Sequence, residues 1–246
     1  MENTEEIKKI IGEAKNIYLI PSQEPEGIVS ALALFYTLKE LNKNVNLIIE
    51  AIPENLKFLA PSLDFISYPK NFVISIPNKI AEISQIYYEK NDNDLKIHLT
   101  VEKGSSIKKD NISFYFSESK PDLIITLGIK NYKTHLSDKL NSFGFLLDSP
   151  VLNIDASAQL STGEQNNENF GKINLLSNHS LTEAVFDLIK NINNNIIKKE
   201  TAECLLSGLV LYTDNFKNSK ITADIFETAG YLMKQGAELK QIIDNI

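Results

Sequence analysis

The stretch Ile17–Asn46, IYLIPSQEPEGIVSALALFYTLKELNKNVN, decides the fold. Ile17 to Ile20 is a short apolar run of the kind that forms a strand buried on both faces. Pro21 to Gly27 is a polar turn. A helix is expected from about Ile28, with Leu32, Phe35, Leu38 and Leu41 on its buried side. Val45 to Ile49 reads as the next strand. Strand, turn, helix and strand make a βαβ unit, which joins parallel strands. Open sheets of this kind bind ligands at the C-terminal ends of their strands, so the Pro21–Gly27 turn is the first place to look for function.

Composition narrows the classes. The 246 residues are 43% hydrophobic and carry a net charge of -7, which describes a globular chain and not a disordered one. The acidic balance opposes a broad phosphate-binding surface, and the longest basic clusters are only pairs, such as Lys108-Lys109 and Lys198-Lys199. One cysteine, Cys204, excludes an internal disulfide and sits in a helical pattern as a small buried hydrophobe. No signal-peptide pattern or membrane span is legible, so a cytoplasmic protein with no membrane partner is expected.

Outward from the βαβ unit, Thr4 to Ala14 reads as a first helix with Ile7, Ile10 and Ile11 turned to the sheet, and Leu56, Phe58 and Leu59 as core residues of a loop. Residues 72–120 change character. Ile83–Tyr88 and Leu95–Thr100 flank the turn Asn91–Asp94, and His98 falls on the face opposite Leu95, Ile97 and Leu99. This block predicts an antiparallel insertion, with Phe72–Ile76 and Ile112–Phe116 as further strands. The parallel pattern resumes at Asp122–Leu127, a central strand ended by Gly128. Tyr132–Leu140, which contains His135, reads as a helix. Pro150–Asp155 is another strand, Ala156–Asn169 a mobile polar loop, and Gly171–Leu176 a short strand. The last part is helical: Ser180 and Glu183 form a capping box before Leu181, Val185, Leu188 and Ile189, and helices follow over Glu200–Leu211, Thr222–Lys234 and from Ala237 onward. The fold class is therefore α/β, a mostly parallel sheet flanked by helices.

Four short segments, in order, resemble the motifs of the DHH (Asp-His-His) phosphoesterases, a family that includes RecJ-like nucleases and oligoribonucleases. The first family motif is similar to T-H-x-x-P-D-G-D-A-x-G-S. Here Pro21-Ser22-Gln23-Glu24-Pro25-Glu26-Gly27-Ile28-Val29-Ser30 keeps Pro25, Gly27 and Ser30, while Ser22 stands for the metal-binding histidine and Glu26 for an aspartate. Gly128 stands where the second motif ends its strand in aspartate. The third motif, Asn-Ile-Asp-His-His, resembles Asn153-Ile154-Asp155-Ala156-Ser157, of which only Asp155 survives as a ligand. The fourth, G-I-x-x-D-T-G-x-F-R, resembles Gly208–Lys217 and puts Tyr212 at the metal aspartate, with Thr213 after it and Asp214 two positions displaced.

The resemblance implies a chain of one DHH-like α/β domain over residues 1–246, with an insertion at 72–120 and a helical C-terminal part at 180–246. The family's C-terminal substrate-binding domain is expected to be absent. Family members hold two manganese ions, which need several carboxylate and imidazole ligands. The matched positions offer only Glu26 and Asp155. No intact catalytic set and no metal cofactor are therefore expected, with Glu26, Gly27, Asp155, Thr213 and Asp214 as residual ligand-binding candidates. The leading reading is a catalytically degenerate phosphoesterase-like module with a structural, regulatory or protein-binding task, its partner another protein or a second copy of itself. The alternatives are a divergent metal-dependent phosphodiesterase acting on short oligonucleotides or nucleotides, and a nucleotide-binding protein without activity. Pro21–Gly27, Gly128, Asp155–Ser157 and Tyr212 are expected to converge on one edge of the sheet.

Overall fold

Side chains alternate along β1 (Asn16–Pro21) between two buried clusters: Ile17 and Leu19 join one, Tyr18 and Ile20 the other. A strand covered on both faces needs no polar side, which is why the sequence reads as an unbroken apolar run. The computed structural model describes residues 2–49, 51–61, 70–102, 104, 106–118, 120–129, 149–156, 170–177 and 179–246. They divide into one unit of 1–68 with 120–246 and a second of 69–119.

In the larger unit β1 is an interior strand of a five-stranded, all-parallel sheet. It pairs with β2 (Asn44–Leu47) on one side and β7 (Leu123–Leu127) on the other, and β8 (Val151–Ala156) and β9 (Ile173–Ser177) follow, giving the order β2-β1-β7-β8-β9. The expected neighbours are thus neighbours. Strand order reverses direction between β1 and β7, which makes their C-terminal ends the topological switch point. α1 (Glu2–Glu13) buries Ile7 and Ile11, and the Lys43 ammonium donates to the carbonyls of Gly12 and Ala14 at its end.

α2 (Pro25–Glu40) starts three residues earlier than Ile28. Proline with its fixed φ suits the first helical position, so Pro25 opens the helix and the turn shrinks. Glu26 and Gly27 therefore lie in a helix's first turn, not in a loop. The helix is buried nearly all round, from Gly27 to Phe35 and again at Thr37 and Leu38. Burial of each such large apolar side chain stabilises the fold by roughly 1.5–3 kcal/mol. The same core takes in α3 (Leu181–Ile192), α4 (Lys199–Tyr212), α5 (Ala223–Lys234) and α6 (Leu239–Asn245). The Ser180–Glu183 capping box forms as read, with Ser180 Oγ accepting from the Glu183 N–H at 3.0 Å and its own N–H donating to the Glu183 carboxylate. Leu56 and Leu59 are buried and Phe58 packs against the core.

The smaller unit is antiparallel, as expected. β3 (Lys70–Ser75) pairs with β6 (Ser113–Glu118), and β4 (Ile83–Lys90) forms a hairpin with β5 (Leu95–Val101). Asn91 shapes the hairpin turn, its side-chain oxygen accepting from the N–H groups of Asn93 and Asp94. The helix expected at Tyr132–Leu140 with His135, Ser157, and the loop beyond Ala156 lie outside the described residues; Ala156 itself ends β8. No helix among the described residues is long and apolar enough to cross a membrane.

Candidate functional site

The switch point is filled by this chain's own small residues. Ser22 follows β1 and donates its N–H to the Leu127 carbonyl of β7 at 2.8 Å. Its side chain sits against Gly27, where a Cβ would collide with Ser22 Oγ. On the other side stands Gly128, with φ +66 and its N–H bonded to the Ile154 carbonyl at 2.9 Å. A Cβ at Gly128 would lie 3.1 Å from Ser22 Oγ and 3.2 Å from Leu181 Cδ2. The left-handed backbone and the close neighbours both call for glycine here. Three of the matched positions, Ser22, Gly27 and Gly128, are thus packed on one another beneath a leucine methyl from α3.

Glu26 has a different task from the one the motif assigns. From the first turn of α2 its Oε1 accepts the backbone N–H and the hydroxyl of Thr182, each at 3.1 Å. That N–H belongs to the first turn of α3, where backbone donors lack partners inside the helix and the dipole favours an anion. Burial pushes the Glu26 carboxyl above its ordinary value, while the hydrogen bonds from Thr182 and the Leu181 amide, and the charge of Lys220, pull it back. Thr182 also lies 3.4 Å from the Ser30 hydroxyl, and a Cβ at Gly208 of α4 would collide with it. Thr182 is therefore the point where α2, α3 and α4 meet.

Tyr212 ends α4 beside this group. Burial and the carboxylates of Glu183 and Glu26 raise its phenol, and the Lys220 ammonium stands 4.4 Å from its ring centre. After it the chain makes a left-handed turn through Asp214, Asn215 and Phe216, with φ of 48°, 57° and 58°. Asp214 is exposed there. Thr213 serves the turn: its hydroxyl donates to the Leu209 carbonyl at 2.6 Å and accepts from the Phe216 N–H at 3.1 Å. Asp155 is buried near the end of β8, and Asn153 two residues before it accepts from the Thr126 hydroxyl of β7 at 2.9 Å.

The structure thus brings Ser22, Glu26, Gly27, Gly128 and Tyr212 around the start of α3. Sequence reading missed the parts played here by Leu181, Thr182, Gly208 and Lys220. Gly208 opens the fourth motif-like segment; the other three stand at no motif position, and only the approach of three helices joins Leu181, Thr182 and Gly208. Lys220, in the α4–α5 connection, brings a positive charge to this group. No group of three or more His, Cys, Asp or Glu residues that could hold a metal ion occurs among the described residues. A pair of divalent ions needs several such ligands, and Gly128, Ala156 and Leu181 bring no donor side chain. The described residues do not fit a two-metal centre. His98 is far from this role: it stacks on Tyr87 in the hairpin, ring centres 4.5 Å apart. A depression of about 470 Å³ lies at the opposite, N-terminal edge of the sheet, lined by Glu13, Lys15, Asp122 and Lys172 among others. Its Asp122 carboxylate already accepts the N–H groups of Lys15 and Asn16.

The parallel sheet with this strand order and its long buried α2 is a fold shared with a solved structure. A crystal structure of an exopolyphosphatase-related protein from Bacteroides fragilis aligns with 99% of the chain, at a TM-score of 0.66 and 19% identity. The chain spans 59% of that protein's length. The structure of the exonuclease RecJ bound to manganese aligns more loosely, over 96% of the chain and 46% of RecJ, at a TM-score of 0.43 and 13% identity. No family model matches the chain, and no curated protein matches it.

Proposed function

We propose that residues 1–246 form a DHH-like domain that has given up phosphoester hydrolysis and acts as a structural, regulatory or protein-binding module. The observation that carries this reading is the packing at Gly128. An aspartate there would have to displace both Ser22 Oγ and the Leu181 side chain from within 3.2 Å of its Cβ. Glu26 adds to it, since a carboxylate that accepts two hydrogen bonds from Thr182 is committed to holding α3. The alternative of a divergent phosphodiesterase needs Glu26, Asp155 and Asp214, with Glu24 as a further candidate, to form a new site, and Asp214 sits in an exposed left-handed turn. Nucleotide binding without hydrolysis is disfavoured by the same Glu26, whose charge stands where a phosphate would approach. A cytoplasmic setting agrees with a chain whose single cysteine forms no internal disulfide.

Calorimetric titration with manganese at neutral pH tests the proposal. The expected result is no stoichiometric binding and no hydrolysis of short oligonucleotides in the same buffer. Two ions bound with micromolar or tighter affinity would overturn it.

A further inference from the structure

The hairpin β4–β5 has two unlike faces. Cross-strand pairing sets Ile86 opposite Leu99, Tyr88 opposite Ile97, and Lys90 opposite Leu95, all on one side. The other side carries Tyr87 stacked on His98, Glu89 opposite Lys96, and Gln85 opposite Thr100. This is the alternation of a half-buried sheet, yet Ile86 is 69% exposed, Tyr88 72%, Leu95 63% and Ile97 48%. A two-stranded ribbon is marginal in water until a further strand or an apolar layer covers it. Here both strands are also sheet edges.

We propose that a second copy of this chain covers the face, ribbon against ribbon, about a two-fold axis. The stripe runs from Ile86 to Leu95 with Lys90 as its only charge, so its cover must itself be a narrow apolar stripe. A second copy brings a stripe of the same chemistry and length, and a two-fold axis lays a patch on itself. The exposed fractions amount to roughly 400–500 Å² of side-chain surface per copy, taking roughly 150–250 Å² for a large aromatic. A standard interface needs about 800 Å² per partner. The hairpin face therefore supplies about half, the area of a weak, reversible dimer.

Sedimentation of the full chain from low to high micromolar concentration is the test. A concentration-dependent dimer is expected. Tyr88→Lys and Ile86→Lys should weaken it tenfold or more, and Thr100→Lys on the polar face should leave it unchanged. A second measurement avoids charged substitutions: Ile97→Cys should give a disulfide-linked dimer under mild oxidation, while Thr100→Cys should not, with Cys204 buried and silent in both. A monomer at every concentration overturns the proposal, whatever else the face binds. So does a dimer that the apolar-face substitutions and the polar-face control weaken equally.

Discussion

Glu26, at a position that resembles a metal-site motif, serves a structural use: its carboxylate accepts two hydrogen bonds from Thr182. A glutamine in its place keeps an oxygen that accepts from Thr182 and removes the burden of burying a charge. An alanine leaves the N–H and hydroxyl of Thr182 without that partner, and an unpaired buried donor costs about 1–3 kcal/mol. At neutral pH, Glu26→Gln is therefore expected to leave stability unchanged or raise it by up to ~1 kcal/mol, and Glu26→Ala to lower it by about 1–3 kcal/mol. The pH dependence follows from the raised carboxyl. Unfolded, Glu26 titrates near its ordinary 4.5; folded, it holds its proton to higher pH. Its favourable contribution is then complete below the ordinary value and is lost as pH rises through the raised one. Melting curves of wild type and Glu26→Gln across that window should show the wild type losing ground as pH rises. A glutamine variant as damaged as the alanine at neutral pH would show that the charge itself holds the helices.

At the scale of elements, the meeting of α3 and α4 turns on Gly208. A methyl there would press on Thr182, and overpacking of this kind costs about 1–3 kcal/mol. Gly208→Ala is expected to destabilise by that amount in wild type and by clearly less in a Thr182→Ala background, where the obstruction is gone. Denaturant titrations of the four proteins measure the coupling; simple additivity would mean the contact carries no energy. Elements differed in how far the sequence announced them. The Ser180–Glu183 box names its helix outright, because the signal is local. The Ile17–Ile20 run names its strand for the same reason. The start of α2 was misplaced at Ile28, because Pro25 inside a polar stretch reads as a turn until its helical φ is used. The left-handed turn at Asp214–Phe216 carries no glycine to announce it. Such a conformation costs ~1–2 kcal/mol for an ordinary residue, so it is held by tertiary context that sequence does not display. The pairing of β3 with β6 was hidden likewise, since a partner some forty residues away is set by register and burial.

For the molecule as a whole, the parallel order of the strands follows from apolar runs, and the scarcity of ligand side chains at the motif-like positions follows from residue identity alone. The surroundings of those positions do not: Leu181, Thr182 and Lys220 reach them through packing, and no spacing rule leads there. The single cysteine sits in this packing at 0% exposure, and burial raises its thiol well above the usual range. That combination makes the chain its own reporter. An alkylating reagent can reach Cys204 only when α4 parts from the core, so the labelling rate counts openings of the large unit and nothing else. Wild type is expected to label slowly and as a single phase, and Gly208→Ala faster in proportion to its lost stability, as mass spectrometry over time would record. Rapid labelling of the native wild type would mean that α4 leaves its place without unfolding the sheet. The same silence leaves any newly introduced cysteine as the sole reactive thiol, so spin labels or dyes placed on the hairpin would report on that arm alone.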